Sequence, residues 1–356
     1  MRFWAAVPRL LLPAIAGLLA GCPAPAPEQA LVSDYRVRLA HVLDVATPDL
    51  AQEAASAYPS RRELTLSQQP IKIDLLEFLR LSPCQVQRLI GERNASLGHV
   101  MPPSQQWLYE SKFIIAGRHC LAQLLRNPDA VELQNTLQQA LAVKQAERGR
   151  VAWNAVFASQ EFQSLFSLSG QPLALDQPPP SALFEALAQL QWQIKRWQTA
   201  DVPPSDDIEK LYQVIGADNW YGQLMASLVL LNNELEALVA IQTERLAGRP
   251  LCFGGRSNRE AEAMQNVFMT FYIGAIQPYL ARVYQQGEVA VRQLNQLRDL
   301  VQPPAEVELA DFDSYWLITW DNSVETSLWG RYNWLLDRHT RLWQEQLSQC
   351  GLMPRG

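Results

Sequence analysis

Few residues in this chain have the types and spacing that chemistry requires. The triplet Glu92-Arg93-Asn94 follows the apolar pair Leu89-Ile90 where the chain is expected to turn, so an acid, a guanidinium and an amide converge. Arg93 can hold an acidic ligand through two parallel N–H bonds. It can equally pair with Glu92 or cap a helix. These three are the candidate binding residues. The four histidines, His41, His99, His119 and His339, are scattered, which suits solvated or hydrogen-bonded side chains better than a base or a ligand set. No catalytic residue is assigned, because the chain has no GxSxG elbow, no HExxH, no Walker phosphate loop and no glycine fingerprint after a strand. Gly254-Gly255 after Cys252-Phe253 is a loop break without the Gly-Lys-Ser/Thr that completes a phosphate cradle. No cofactor is expected.

Chemistry of another kind is written at the N-terminus. Two arginines (Arg2, Arg9) and no acid precede a stretch rich in Leu and Ala, which ends Leu18-Leu19-Ala20-Gly21-Cys22. A basic head, a short apolar middle and small residues before the cut make a secretory signal. Leu-Ala-Gly-Cys resembles the bacterial lipobox. That implies removal of residues 1–21, a thioether-linked diacylglycerol on Cys22 and acylation of its new amine, as in lipid-anchored (palmitate-bearing) proteins. Residues 22–30 are then the lipidated cysteine and a Pro/Ala tether, 31–350 a helical domain and 351–356 a tail. Pro23 stands where, by resemblance to bacterial sorting signals, an Asp favours inner-membrane retention. The expected location is the outer membrane, with the body in the periplasm.

The four remaining cysteines, Cys84, Cys120, Cys252 and Cys350, fall on the oxidising side of such a membrane, where disulfides persist. Three connectivities are open, and Cys84–Cys120 with Cys252–Cys350 keeps both closures shortest. A zinc site using His119 and Cys120 is disfavoured, since adjacent helical residues point about 100° apart and no CxxC or HxxxH accompanies them. No metal is expected.

Composition bounds partners. The chain is 48% hydrophobic and 19% charged, enough for a packed core. Removing Arg2 and Arg9 takes the net charge from -6 to -8, and only five lysines are present, so there is no electrostatic footprint for nucleic acid. Attachment to a membrane must come from acyl chains rather than from basic residues. No segment beyond the signal is expected to span a bilayer: the nearest, residues 224–241, is interrupted by Asn232, Asn233, Glu234 and Glu236.

The elements that must position these residues are helical nearly throughout. Leu31, Tyr35, Leu39, Val42 and Leu43 form one helix face, closed by Pro48. Residues 54–69 read as a polar loop and 71–81 as a buried helix, although Ile71 to Asp74 can start a short strand. Ser82-Pro83 is a helix start and residues 92–104 a loop. Helices follow over 104–126, over 129–149 with Asp129 as cap, and over 151–168. Pro178 to Pro180 opens another with Ser181 as cap, and residues 203–207 repeat the device. Leu224, Leu228, Leu231, Leu235 and Leu238 form a heptad seam, read as core packing in preference to a dimer zipper. Residues 259–301 are helical with Pro278 inside to kink or split them. Residues 321–349 close the chain with Val324, Leu328, Leu335 and Leu342. The tryptophans Trp316, Trp320, Trp329, Trp334 and Trp343 read as core. The expected fold is all-α, a multi-helix bundle of about ten helices in one elongated or bilobed unit.

Two resemblances bear on function. Tyr109-Glu110-Ser111-Lys112-Phe113 is similar to the Glu-Ser-x-Phe segment of lytic transglycosylases, whose single glutamate is the general acid on peptidoglycan. That family continues with a Gly-Leu-Met-Gln type of segment, whereas here Ile114-Ile115-Ala116-Gly117-Arg118 follows, and Glu110 is expected on a helix surface. The second resemblance runs over nearly the whole mature chain. Residues Ile73-Asp74-Leu75-Leu76-Glu77-Phe78-Leu79, Cys84, Leu89-Ile90-Gly91-Glu92-Arg93-Asn94, Leu97-Gly98-His99-Val100-Met101, Pro103-Ser104 and Tyr109-Glu110 resemble an uncharacterised family of gammaproteobacterial lipoproteins, domain of unknown function 3080. The resemblance implies a lipid-anchored envelope protein and brings no activity. The expected function is therefore binding or scaffolding, with an envelope protein or the cell wall as partner. The alternative is peptidoglycan cleavage through Glu110.

Overall fold

A computed structural model describes residues 26–323 and 325–353. Residues 1–25, among them Cys22 and Pro23, as well as Val324 and residues 354–356, lie outside the described residues, as do the side chains of Leu97 and His99. Helix α1 (Pro27–Leu43) begins inside the stretch assigned to the tether, with Pro27 at the first helical position, where its missing N–H is no loss. It stops before Pro48, at Asp44, whose left-handed backbone (φ 53°, ψ 47°) turns its N–H back to the Ala40 and His41 carbonyls.

Residues 45–74 cross the molecule with one helical turn, α2 (Arg61–Leu64), held by a capping box between Ser60 and Glu63. The segment is less polar in its role than in its composition, because Tyr58, Leu64 and Leu66 are buried in the core. Helix α3 (Leu75–Arg80) overturns the buried helix expected over 71–81. Asp74 caps it by accepting from the Glu77 N–H, and none of its residues is buried. Leu75, Leu76 and Leu79 stand 70%, 74% and 53% exposed.

Helix α4 (Gln85–Asn94) starts two residues after the expected position, with Cys84 at its N-cap, and a helical turn, α5 (Ser96–His99), follows. Then come α6 (Pro103–Leu124), a 3-10 turn (Pro128–Ala130) and α7 (Val131–Ala146). Asn127, not Asp129, is the side chain that caps the 3-10 turn.

The second half builds the larger body. Its helices are α8 (Arg148–Val156), α9 (Gln160–Leu165), α10 (Ser181–Ala200), α11 (Ile208–Gly216) and α12 (Trp220–Ala247). They continue with α13 (Arg259–Val267), a π-helical segment (Phe268–Ile276), α14 (Gln277–Leu300), α15 (Ala310–Thr319) and α16 (Leu328–Gln349). The break sits at Pro278: without an N–H it cannot close the α-helical bond to Gly274, and the preceding turns relax to the wider π register, with Gln277 N–H reaching Tyr272. Helix α15 buries Phe312, Tyr315, Trp316 and Thr319 at helical spacing, an element the sequence reading omitted. Helix α16 starts later than expected because Ser327, accepting from the Gly330 N–H, is its cap.

The fold is all-α, a multi-helix bundle with no strand among the described residues. Two separate cores give it two lobes. The larger centres on α12, whose Leu224, Leu228, Leu231, Leu235 and Leu238 are all 0% exposed, packed by α1 and α16. Ile208–Ala247 contains an 18-residue window of mean hydropathy 1.6, long and apolar enough by composition to cross a membrane. Burial of that leucine seam against α1 and α16 accounts for the composition. Trp316, Trp320, Trp329 and Trp343 belong to this core, while Trp334 is 44% exposed. The smaller core gathers Val86 and Leu89 of α4, Tyr109 and Phe113 of α6, and Leu133, Leu137 and Leu141 of α7. Helix α6 serves both, since its Trp107 and Leu108 face the larger core.

The disulfides pair as the shortest-closure reading expects. Cys84–Cys120, with S–S 2.00 Å, ties the start of α4 to α6. Cys252–Cys350, with S–S 1.97 Å, ties the loop after α12 to the end of α16.

Candidate functional site

Where the smaller lobe meets the larger, the helices do not close on one another. They leave a cavity of about 790 Å³ walled by α4, α6, α7 and residues 65–73. The last of these has no regular structure and forms a strap along one wall. It is pinned by Asn154, whose side chain accepts from the Leu66 N–H and donates to the Leu66 carbonyl, both at 2.8 Å. Gln106 of α6 donates to Gln68 of the strap at 2.7 Å.

The apolar part of the wall includes Leu81, Ile90, Phe113, Leu133 and Leu137. The charged groups are Lys72, Arg93, Glu110 and Lys144. Glu110 is 3% exposed, which corrects the helix-surface position expected for it. It sits on the same stripe of α6 as Gln106, Tyr109 and Phe113, and that stripe faces the smaller lobe rather than solvent. Lys144 of α7 donates to its Oε1 at 2.6 Å, and the ammonium lies 5.4 Å from the Phe113 ring centroid and 5.6 Å from that of Tyr109. Burial raises the Glu110 carboxyl above the usual range, while the Lys144 charge and hydrogen bond pull it back.

The triplet Glu92-Arg93-Asn94 is the last turn of α4, not the loop expected over 92–104. On a helix three consecutive residues cannot share a face, and the structure divides them. Arg93 and Asn94 line the cavity, whereas Glu92 is exposed and faces Arg88 at 3.5 Å. Arg93 donates to the Gly98 carbonyl in the following turn. Gly98 is required there: a Cβ on it would lie 2.3 Å from the Arg93 carbonyl oxygen.

Lys144 and the strap are site components that the sequence reading missed. Lys144 had a readable signal, since Leu133, Leu137, Ala140 and Lys144 step by four, three and four, placing one lysine in an apolar stripe. The strap had none, because its placement depends on Asn154, which is 88 residues away from Leu66.

His119 is exposed and bonds Gln123 at 3.1 Å, while Cys120 is in a disulfide. Among the described residues no group of three His, Cys, Asp or Glu is placed to hold a metal ion.

No curated protein and no solved structure matches the chain. A family model described as a protein of unknown function (DUF3080) matches residues 32–354, which takes in both lobes and the whole wall of the cavity. The chain belongs to the DUF3080 family.

Proposed function

We propose that this chain is a lipoprotein of the bacterial outer membrane, anchored through acyl chains on Cys22 with its helical body in the periplasm, and that it works as a binding protein. The observation that carries the binding role is the cavity of about 790 Å³ at the lobe junction, a volume typical of small-molecule sites, with a few charged groups on an apolar wall. The anchor is supported by the basic head, the apolar stretch and Leu-Ala-Gly-Cys of the sequence, and two disulfides fit an oxidising compartment. Several acyl chains hold a protein stably where one binds marginally. The membrane is thus a partner through the anchor, and an envelope protein or the cell wall is the further partner to seek by crosslinking.

Two experiments test this reading. Cys22→Ser should leave the signal uncleaved or release the protein from the membrane fraction; unchanged maturation and fractionation would remove the anchor. Protein purified without denaturation should carry a small molecule that organic extraction and mass spectrometry detect. Leu137→Trp, which fills the cavity, should purify without it. Equal recovery from both would place the molecule elsewhere.

A second reading, peptidoglycan cleavage with Glu110 as general acid, is favoured by one observation: the carboxyl is buried at a cavity with its pKa raised. Against it, Lys144 at 2.6 Å favours the ionised carboxylate, whereas a general acid must carry a proton. Tyr109 and Phe113, at 8% and 4% exposure, are not displayed as a platform for sugar. Release of muropeptides from purified sacculi, abolished by Glu110→Gln, would establish the enzyme; no release by the intact protein removes it.

A further inference from the structure

The charge on the cavity wall is opposite in sign to the charge on the chain. Lys72, Arg93 and Lys144 face one carboxylate, Glu110, an excess of two positive charges in a protein whose net charge is -6. The three cations are not equivalent. Lys144 is spent on Glu110 and Lys72 stands exposed on the strap. Arg93 is half-buried and, among the described residues, makes no direct ion pair, although its charge acts on the Glu110 carboxyl from a distance. Its bond to the Gly98 carbonyl uses one of five N–H donors and fixes the direction of the side chain. Elsewhere on the same wall Gln68 keeps a buried amide nitrogen without a hydrogen-bond partner. Beyond these groups the wall is uncharged, with Leu81, Ile90, Phe113, Leu133 and Leu137 forming its apolar part and side chains such as Gln69, Asn94 and Thr136 its polar part.

We propose that the cavity binds an amphiphile with one anionic head, a carboxylate or a phosphate, held by Arg93 with its apolar chain against α4, α6 and α7. This inference rests on the binding reading above and narrows its ligand class. A cationic head is disfavoured because it meets three like charges and a single carboxylate already engaged. A neutral chain would strip water from Arg93 and return nothing to it. A small inorganic anion satisfies Arg93 but leaves the apolar wall wet. An anionic amphiphile satisfies both parts of the wall, and a planar guanidinium matches the oxygens of carboxylate and phosphate alike.

The test uses the full mature protein and four probes with the same twelve-carbon chain, all below their aggregation concentrations: dodecanoate, dodecyl phosphate, dodecanol and dodecyltrimethylammonium. Calorimetric titration should give binding of at least one anionic probe about tenfold or more tighter than dodecanol, as one charge-assisted pair supplies. Dodecyltrimethylammonium should bind weakest. Comparison of the two anions distinguishes a carboxylate head from a phosphate head. Arg93→Gln should bring the anionic probes down to the level of dodecanol, Arg93→Lys should keep part of the preference, and Leu137→Trp should abolish binding of all four. Thermal melting of each variant verifies the fold. Dodecanol binding as tightly as the anions, or an anion preference that survives Arg93→Gln, overturns the inference and leaves the binding reading standing. Binding of no probe also overturns it, and the binding reading then stands or falls by the extraction experiment.

Discussion

His339 shows at the scale of one residue how a titratable group is made structural. It is 0% exposed and lies between Gln242, whose Oε1 is 2.6 Å from Nδ1, and the Tyr35 hydroxyl, 3.1 Å from Nε2. An amide oxygen only accepts, so Nδ1 carries the proton and Nε2 accepts from Tyr35, which in turn accepts from the Trp343 indole at 2.8 Å. The chain is satisfied with a neutral ring, and burial pushes the His339 pKa down from 6.5 to about 3. The unfolded chain therefore binds the proton first. The contribution to stability is fully present above about pH 6.5 and is lost as pH falls towards 3. His339→Gln should lower the melting temperature at pH 7 and also shrink its fall between pH 7 and pH 4. An unchanged pH slope would mean that other groups set it.

Glu110 and Lys144 make a second residue-scale prediction. Lys144→Met leaves a carboxylate with 4% side-chain exposure without its cation, at a cost of about 3 kcal/mol. Adding Glu110→Gln should restore part of that stability, since an amide is cheaper to bury than a lone charge. Additive losses in denaturant unfolding would show that the pair is not coupled.

Two positions test the elements. Asp44 holds a left-handed backbone at φ 53°, which only glycine adopts freely. Asp44→Gly should stabilise the protein by about 0.5–1 kcal/mol through a cheaper end to α1. Gly222 on α12 is the opposite case. A Cβ there would stand 1.8 Å from the Ser167 carbonyl oxygen, a backbone atom that cannot swing aside. Gly222→Ala should cost about 3 kcal/mol by forcing α12 away from the end of α9. A melting temperature within a degree of the parent would contradict the packing described for α12.

Across the whole molecule the two lobes carry one disulfide each, closing 36 and 98 residues of sequence separation. On the chain-entropy model these constrain the unfolded state by about 4 and about 5 kcal/mol, as upper values. Cys84→Ser with Cys120→Ser should loosen the smaller lobe first, and hydrogen exchange should rise in α4 and α7 before α12. Uniform loss of protection would mean that the lobes unfold as one. Because the cavity wall is drawn mostly from that lobe, the same pair should weaken binding of the anionic probe.

What sequence alone determines here are properties that follow from spacing along the chain. Helical period, the leucine seam of α12 and the proline breaks are all local, whereas the cysteine pairing had three open connectivities, of which the structure shows the one with the shortest closures. The termini of elements drifted wherever a cap competed with an apolar pattern, as Asp74 and Ser327 did. The direction in which a face points was legible only in part. Arg93 reads from sequence as able to hold an anion, pair with Glu92 or cap a helix, and only tertiary structure separates it from Glu92. Glu110 reads as surface until α7 brings Lys144 against it. Leu75 and Leu76 read as core until α3 is seen to have nothing packed on them. A periodic pattern states that a helix has an apolar side but not what lies opposite. The cavity lies where two separate cores meet, and the strap that walls it is held by Asn154, a partner 88 residues from Leu66 that no local pattern announces.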